Sequence, residues 1–279
     1  MRKFWSVLAV QLGKRAGLVA IIGLLATMIL GFGLTKLEFS TGQDSYLNKG
    51  DQVAIDNVAY QKLFGGQIMI VLFTMDKDHT VADLALPQNR KIFDEVAAEL
   101  AKSPEVRTVV SPLDGLVYSD RLLSRTPDDP TNAKTFDPLN SIASQTINAA
   151  LADAEKRGDT ASVKVRQADL AKTTERVAPF LAADADRTLD NPDWVKVLLI
   201  DNQGKIRKPL QSFFFDDRHA QMVVRLTGNA SIEEEGKGAV AVKTAWANKK
   251  LDGASVVVTG APVLLKDLND YLKGGILKL

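Results

Sequence analysis

Two β-α-β patterns, one early and one late in the chain, predict an α+β fold: one apolar N-terminal helix, then a split, ferredoxin-like βαβ-βαβ unit with an inserted helical hairpin. Three observations carry the prediction. An uncharged run from Ala16 to Thr35 is bracketed by Lys14-Arg15 and Lys36. Short runs of β-forming residues recur twice in the order strand, helix, strand. Between the two units, residues from about 113 to 193 show helical spacing and loop chemistry instead.

The apolar run comes first. Ala16 to Thr35 is apolar apart from its glycines, Thr27 and Thr35, and as a helix it would be about 30 Å long, the thickness of a hydrocarbon core. The run exceeds the h-region of a cleaved signal, and Gly31 to Lys36 offers no A-x-A-like processing site. A retained transmembrane anchor over residues 16–35 is therefore expected. Arg2, Lys3, Lys14 and Arg15 precede it without an acidic residue, so the positive-inside bias keeps residues 1–15 cytoplasmic as a basic, interfacial head, with Trp5 at headgroup level. The chain from residue 36 onward then lies outside the cytoplasm.

The first β-α-β unit opens with a helix over Gln52–Leu63, with Ile55, Val58 and Leu63 at helical spacing behind Asp51 as cap. Gly65-Gly66 turns it into Gln67–Met75, a continuous apolar run that reads as a central strand buried on both faces. A helix from Leu86 to Lys102 follows, with Pro87 in its first turn and Ile92, Phe93, Val96 and Leu100 along one face. Val106–Val110 closes the unit as a strand.

The insertion begins after that strand. Asp137-Pro138 reads as cap and first turn of a helix bearing Leu139, Ile142, Ile147 and Leu151, ended by Gly158-Asp159. A second helix, Thr160 to Ala183, carries Val163, Leu170, Val177 and Leu181, with Pro179 positioned to kink or shorten it. Val195–Ile200 and the turn Asp201–Gly204 predict a strand and hairpin leading to Phe213-Phe214-Phe215, a triplet that reads as core rather than as a partner surface. The second unit then repeats the order: strand Ala220–Leu226, helix from Ser231 to Lys250, strand Ser255–Thr259. Ser231 and Glu234 form a capping box, so the cluster Glu233-Glu234-Glu235 marks a helix start and not a metal site, while Gly236 and Gly238 weaken the first turns. Residues 263–279 form an amphipathic lead-in that reaches an apolar tail.

Chemistry is sparse. Thirty-five basic against thirty-four acidic residues give no field for nucleic acid. The absence of cysteine removes disulfides, thiolate metal sites and thiol nucleophiles. The two histidines, His79 and His219, sit in Asp-rich turns, and Asp76, Asp78 and His79 lack a second ligand motif. No nucleophile elbow, zinc-protease, phosphate-loop or dinucleotide fingerprint is present. No enzyme, cofactor or metal is expected.

Several local strings, in this order and spacing, resemble a known family: the basic head and span, Phe39-Ser40, Asp44-Ser45-Tyr46-Leu47, Tyr60 to Gly65 running into an apolar strand, and Thr259-Gly260-Ala261-Pro262 leading into Leu264 to Leu272. The chain resembles the N-terminal portion of a resistance-nodulation-division (RND) transporter of the MMPL or hopanoid-exporter type. It departs at Asp51-Gln52, where many members place a proline. The resemblance implies a bacterial inner-membrane location and an exocytoplasmic porter domain over residues 36–262. It also implies hydrophobic or lipid-like cargo, and partnership with the bilayer and with a second transporter half or another copy of the chain. It further implies that residues 263–279 lead toward a second span, so that this sequence represents part of a proton-driven exporter. No ionisable residue lies within Ala16–Thr35 to relay protons. Cargo is expected in a cleft between the ferredoxin-like frame and the helical hairpin, with Phe73, Phe93, Phe180 and Phe213 as candidate lining. The alternative is a single-span anchored scaffold whose apolar patches meet other proteins.

Overall fold

The computed structural model describes residues 13–34, 48, 50–124, 141–182 and 184–276, and the chain divides into two compact units, Met1–Thr41 and Gly42–Leu279. The first contains helix α1, Ala16–Leu34. Among its described side chains, Leu18, Ile21, Leu24, Ile29 and Leu30 are all more than half exposed. The Thr27 hydroxyl donates to the Gly23 carbonyl at 2.9 Å, satisfying its polar group inside the helix. Among the described residues no helix is long and apolar enough to cross a membrane. Within α1 the side chains of Val19, Gly33 and Leu34 lie outside the described set. The expected helix forms; a transmembrane placement does not follow from that alone. Of the basic head, residues 1–15, the first twelve lie outside the described residues.

The second unit is built on four antiparallel strands: β1 Ile68–Met75, β2 Val106–Val110, β3 His219–Leu226 and β4 Ala254–Gly260. Their order is β2-β3-β1-β4, so each β-α-β crossover straddles a strand of the other unit. Val71 sits opposite Met222 on one side and Val258 on the other. Met69, Val71 and Phe73 of β1 and Ala220, Met222 and Val224 of β3 are fully buried. Contrary to expectation, β1 is not buried on both faces, because its burial alternates residue by residue. The two crossover helices pack against each other on one side of the sheet, which leaves Ile70 and Leu72 half-exposed on the other.

The crossover helices are α3, Pro87–Leu100, and α8, Ile232–Ala247. Helix α3 starts at Pro87 as predicted, and one turn in it carries a fully buried Asn89. That side chain donates to the carbonyls of Asp83 (2.8 Å) and Asp252 (3.2 Å) and accepts from the Asp252 N–H (2.7 Å). Three contacts satisfy it, so a buried amide pins the start of α3 to the turn before β4. Helix α8 opens with the expected capping box: Ser231 N–H donates to Glu234 at 2.7 Å, and Glu234 N–H donates to the Ser231 hydroxyl at 3.3 Å. It ends three residues before Lys250. Preceding the sheet, helix α2 covers Gln52–Phe64 as read from the sequence, yet none of its residues is buried. Asp51 stands at its N-cap without a side-chain capping bond.

The insertion is more helical than predicted. Helix α4, Pro112–Ser124, was not foreseen. Helices α5, Ile142–Lys156, and α6, Thr160–Val177, form the anticipated hairpin; Gly158 takes φ +70° at the break, and Asp159 caps α6 by accepting from Ser162 N–H at 3.0 Å. Asp137, Pro138 and Leu139 lie outside the described residues. Pro179 does shorten α6, the chain tightening into a 3₁₀ turn over Ala178–Phe180.

Val195–Ile200 corrects the prediction outright. Val195–Leu199 belongs to helix α7, Pro192–Leu199, with Asn191 accepting from Asp193 N–H at 3.0 Å and Pro192 in the first turn. Trp194, Val195, Leu198 and Leu199 are buried, so a helix wrapped by core on most sides presents the same continuous apolar string as a buried strand. The predicted hairpin shrinks to one bridge, Ile200 to Ile206, around a turn with Gly204 at φ +77°. The Phe213–Phe215 triplet divides: Phe214 is fully buried, Phe213 half-buried and Phe215 50% exposed. The last element, α9 Ala261–Ile276, begins two residues before the predicted amphipathic lead-in over residues 263–279, whose last three residues lie outside the described ones.

Candidate functional site

Between α3 and α4 runs a groove of about 600 Å³. Its apolar wall comes from Phe93 and Ala97 of α3, Val109 of β2, Leu113 and Val117 of α4, and Leu189 from the loop before α7. Its polar rim is mixed: Arg90, Lys91 and Asp94 from α3, with Ser111 and Asp114 from the start of α4. Helix geometry explains the sharing, because Arg90, Asp94 and Ala97 recur at three- and four-residue spacing and line one side of α3.

Ser111, Asp114 and Arg90 are held in place. Ser111 donates through both its N–H (2.7 Å) and its hydroxyl (2.8 Å) to Asp114, whose own N–H donates back to the hydroxyl at 3.3 Å. This reciprocal pair caps α4 and fixes the acidic end of the groove. Arg90 pairs with Asp190, which ties α3 to the insertion, while its Nε is buried with no acceptor among the described residues. The groove thus has the form of a ligand site: concave, apolar along its wall and polar at one edge.

The four candidate aromatics are not brought to one place. Phe73 and Phe93 are buried and join Trp246 in an edge-to-face cluster, with centroids 5.2 Å apart for Phe73–Phe93, 5.3 Å for Phe73–Trp246 and 5.7 Å for Phe93–Trp246. Of the four, only Phe93 reaches the groove. Phe180 is packed on Trp194 at 5.0 Å, inside the insertion. Phe213 lies against Gly115, where an added Cβ would stand 3.1 Å from its ring. Arg90, Ser111 and Asp114 were missed by sequence reasoning. The signal existed, since Ser111-Pro112-Leu113-Asp114 is a capping-box spacing with proline at the first helical position.

His79 lies in the loop after β1 as expected, whereas His219 opens strand β3 instead of sitting in a turn. His79 meets Asp83 at 3.2 Å and packs on Gly253, and His219 meets Asp216 at 2.9 Å. Burial pushes the Asp216 carboxyl up, but hydrogen bonds from Arg218 N–H and from His219 outweigh it and leave the pKa lowered. Among the described residues no group of three or more His, Asp or Glu side chains could hold a metal.

A sequence model described as the MMPL family matches residues 59–279, from within α2 to the end of the chain. No curated protein matches the sequence.

Proposed function

The chain belongs to the MMPL family, and from that premise we propose that the unit over residues 42–279 is the extracytoplasmic porter domain of a proton-driven exporter of hydrophobic or lipid-like cargo in a bacterial inner membrane. The observation that carries the cargo reading is the groove between α3 and α4. Its volume suits one acyl-type chain or small polycyclic body, its wall is aliphatic and aromatic, and its polar groups collect at one rim. The strand order β2-β3-β1-β4 supports a ferredoxin-like frame, since that order is what two interleaved β-α-β units generate.

Helix α1 supports the membrane part of the reading. Its described leucines and isoleucines stand exposed, which water would penalise and hydrocarbon would not. No acid lies within Ala16–Thr35, so the proton step falls to residues outside this helix. A second reading, an anchored scaffold for protein partners, draws on α2, whose Val53, Ile55 and Val58 are exposed and whose length includes no buried residue.

The two separate by titrating the full chain in detergent with a fluorescent fatty-acyl probe, and by repeating the titration with Ala97→Trp, which fills the groove. Saturable binding to the native chain that the substitution weakens at least tenfold is expected. Failure to bind, or binding unchanged by Ala97→Trp, refutes the groove as cargo site.

A further inference from the structure

The two edges of the sheet are not alike. Strand β2 is protected in the ways natural edges are: it is five residues long, its register breaks at a bulge between Val106 and Thr108, and its Arg107 guanidinium donates to the Leu63 carbonyl at 2.7 Å. Strand β4, at the other edge, has none of these. Its seven residues, Ala254–Gly260, contain no charge and no proline, and its pairing with β1 runs unbroken from Ala254 to Gly260. Among the described residues no backbone hydrogen bond leads from Ser255–Val258 to any element other than β1.

The sheet also extends past its helical cover at this edge. Side chains of β1 and β3 that face the helices are fully buried, whereas Val256 and Val258 of β4, on the same face, are only half-buried. They form, with Trp246 and Leu251, the floor of a second groove of about 570 Å³ between β4 and the second half of α8. A strand added beside β4 would drop alternate side chains into that groove while its backbone completed the open ladder. The rim above is basic. Lys243 and Lys250 are exposed, Lys243 meets Asp267 only at 3.7 Å, and Lys249 is engaged by Glu95 at 2.6 Å.

From the open ladder, the apolar groove and the basic rim together, we propose that β4 is an acceptor edge for an extended polypeptide segment of another protein, apolar at alternate positions and acidic at its flanks. A second copy of this chain is disfavoured as occupant, because β4 paired with itself would bring the two lysine rims together.

The test uses the full chain and three synthetic nonapeptides with a Val-Thr-Val-Thr-Val centre: one flanked by Asp and Glu, one flanked by Lys, and one acid-flanked but N-methylated at alternate amides. Amide hydrogen exchange is read at Ser255–Val258. The acid-flanked peptide should slow exchange there, the N-methylated one should not, and the Lys243→Glu/Lys250→Glu variant should reverse the flank preference, weakening the acid-flanked peptide roughly three- to tenfold. Both lysines are exposed, so the variant keeps the fold. Absence of protection by either charged peptide overturns the proposal. So does equal protection by the N-methylated peptide, and so does protection that rises with protein concentration alone, which would assign the edge to a second copy.

Discussion

Gly236 and Gly238 lie two residues apart in α8, and the structure predicts that replacing them with alanine has opposite consequences. Helix propensity alone favours alanine at both by about 1 kcal/mol. At Gly236 an added Cβ would meet Lys266 Cγ at 3.6 Å, an ordinary contact with a flexible chain, so Gly236→Ala should realise that gain. At Gly238 the Cβ would stand 2.8 and 3.1 Å from the two methyls of Leu226 and 3.4 Å from Glu105 Cβ. Leu226 is only 1% exposed, and overpacking a filled site costs about 1–3 kcal/mol. Subtracting the helix gain leaves Gly238→Ala destabilised by roughly 0–2 kcal/mol, and separates the two variants by about 1–3 kcal/mol. Urea denaturation of the full chain in detergent, followed by circular dichroism, reads the difference as a displacement of the midpoint. If both variants shift upward together, the close seating of α8 on β3 through Gly238 is wrong.

Three further outcomes follow from the same geometry. Phe73→Ala removes one of the three mutually packed rings of the Phe73–Phe93–Trp246 cluster and should cost about 3–5 kcal/mol in denaturation, with binding of an acyl probe unchanged wherever the fold survives; selective loss of binding would return Phe73 to the cargo site. Hydrogen bonds from the backbone and then the hydroxyl of Ser231 hold the Glu234 carboxyl below its ordinary value of 4.5. A depressed carboxyl stabilises above that value and ceases to as pH falls below it, so Glu234→Gln should flatten the loss of thermal stability between neutral and acid pH, and an unchanged profile would count against the capping box. Gly228→Ala would place a Cβ 2.0 Å from the Gln61 carbonyl oxygen, which backbone cannot yield. Limited proteolysis should then cut more rapidly around Gln52–Phe64, and unaltered cleavage would show that α2 is not seated there.

What was legible in the sequence was local chemistry with a distinct period. The two β-α-β units, the Ser231 box and Pro87 at the start of α3 each declare themselves within a few residues. Helix α7 did not, because Val195–Ile200 is apolar at nearly every position and periodicity cannot separate a buried helix from a buried strand. The deciding signal stood just upstream, in Asn191-Pro192, a cap followed by a first-turn proline. The groove was illegible for another reason. Phe93 and Ala97 meet Leu113 and Val117 only after the chain has crossed β2, and aromatic spacing within one helix says nothing of which wall it will face. Phe73 and Phe180 share that ambiguity, since the residue types that line clefts are those that fill cores.

The misreading of β1 carries information of its own. Its string of apolar residues is what a strand covered on both faces requires, yet helices cover one face only, and Ile70 and Leu72 remain half-exposed beside Val223 and Val257 of the neighbouring strands. An antiparallel sheet with one solvated face ordinarily places polar residues there. Here Gln221, Arg225, Thr74 and Thr259 do so at some positions, while the centre of the face stays aliphatic and Val257 is 56% exposed. Periodicity reports the surroundings a residue tolerates, and burial reports the surroundings it has. Their disagreement at Ile70, Leu72 and Val257 marks the part of the sheet where apolar chemistry exceeds what α3 and α8 can cover, and β4 is the strand where this excess coincides with a backbone ladder that is unpaired among the described residues.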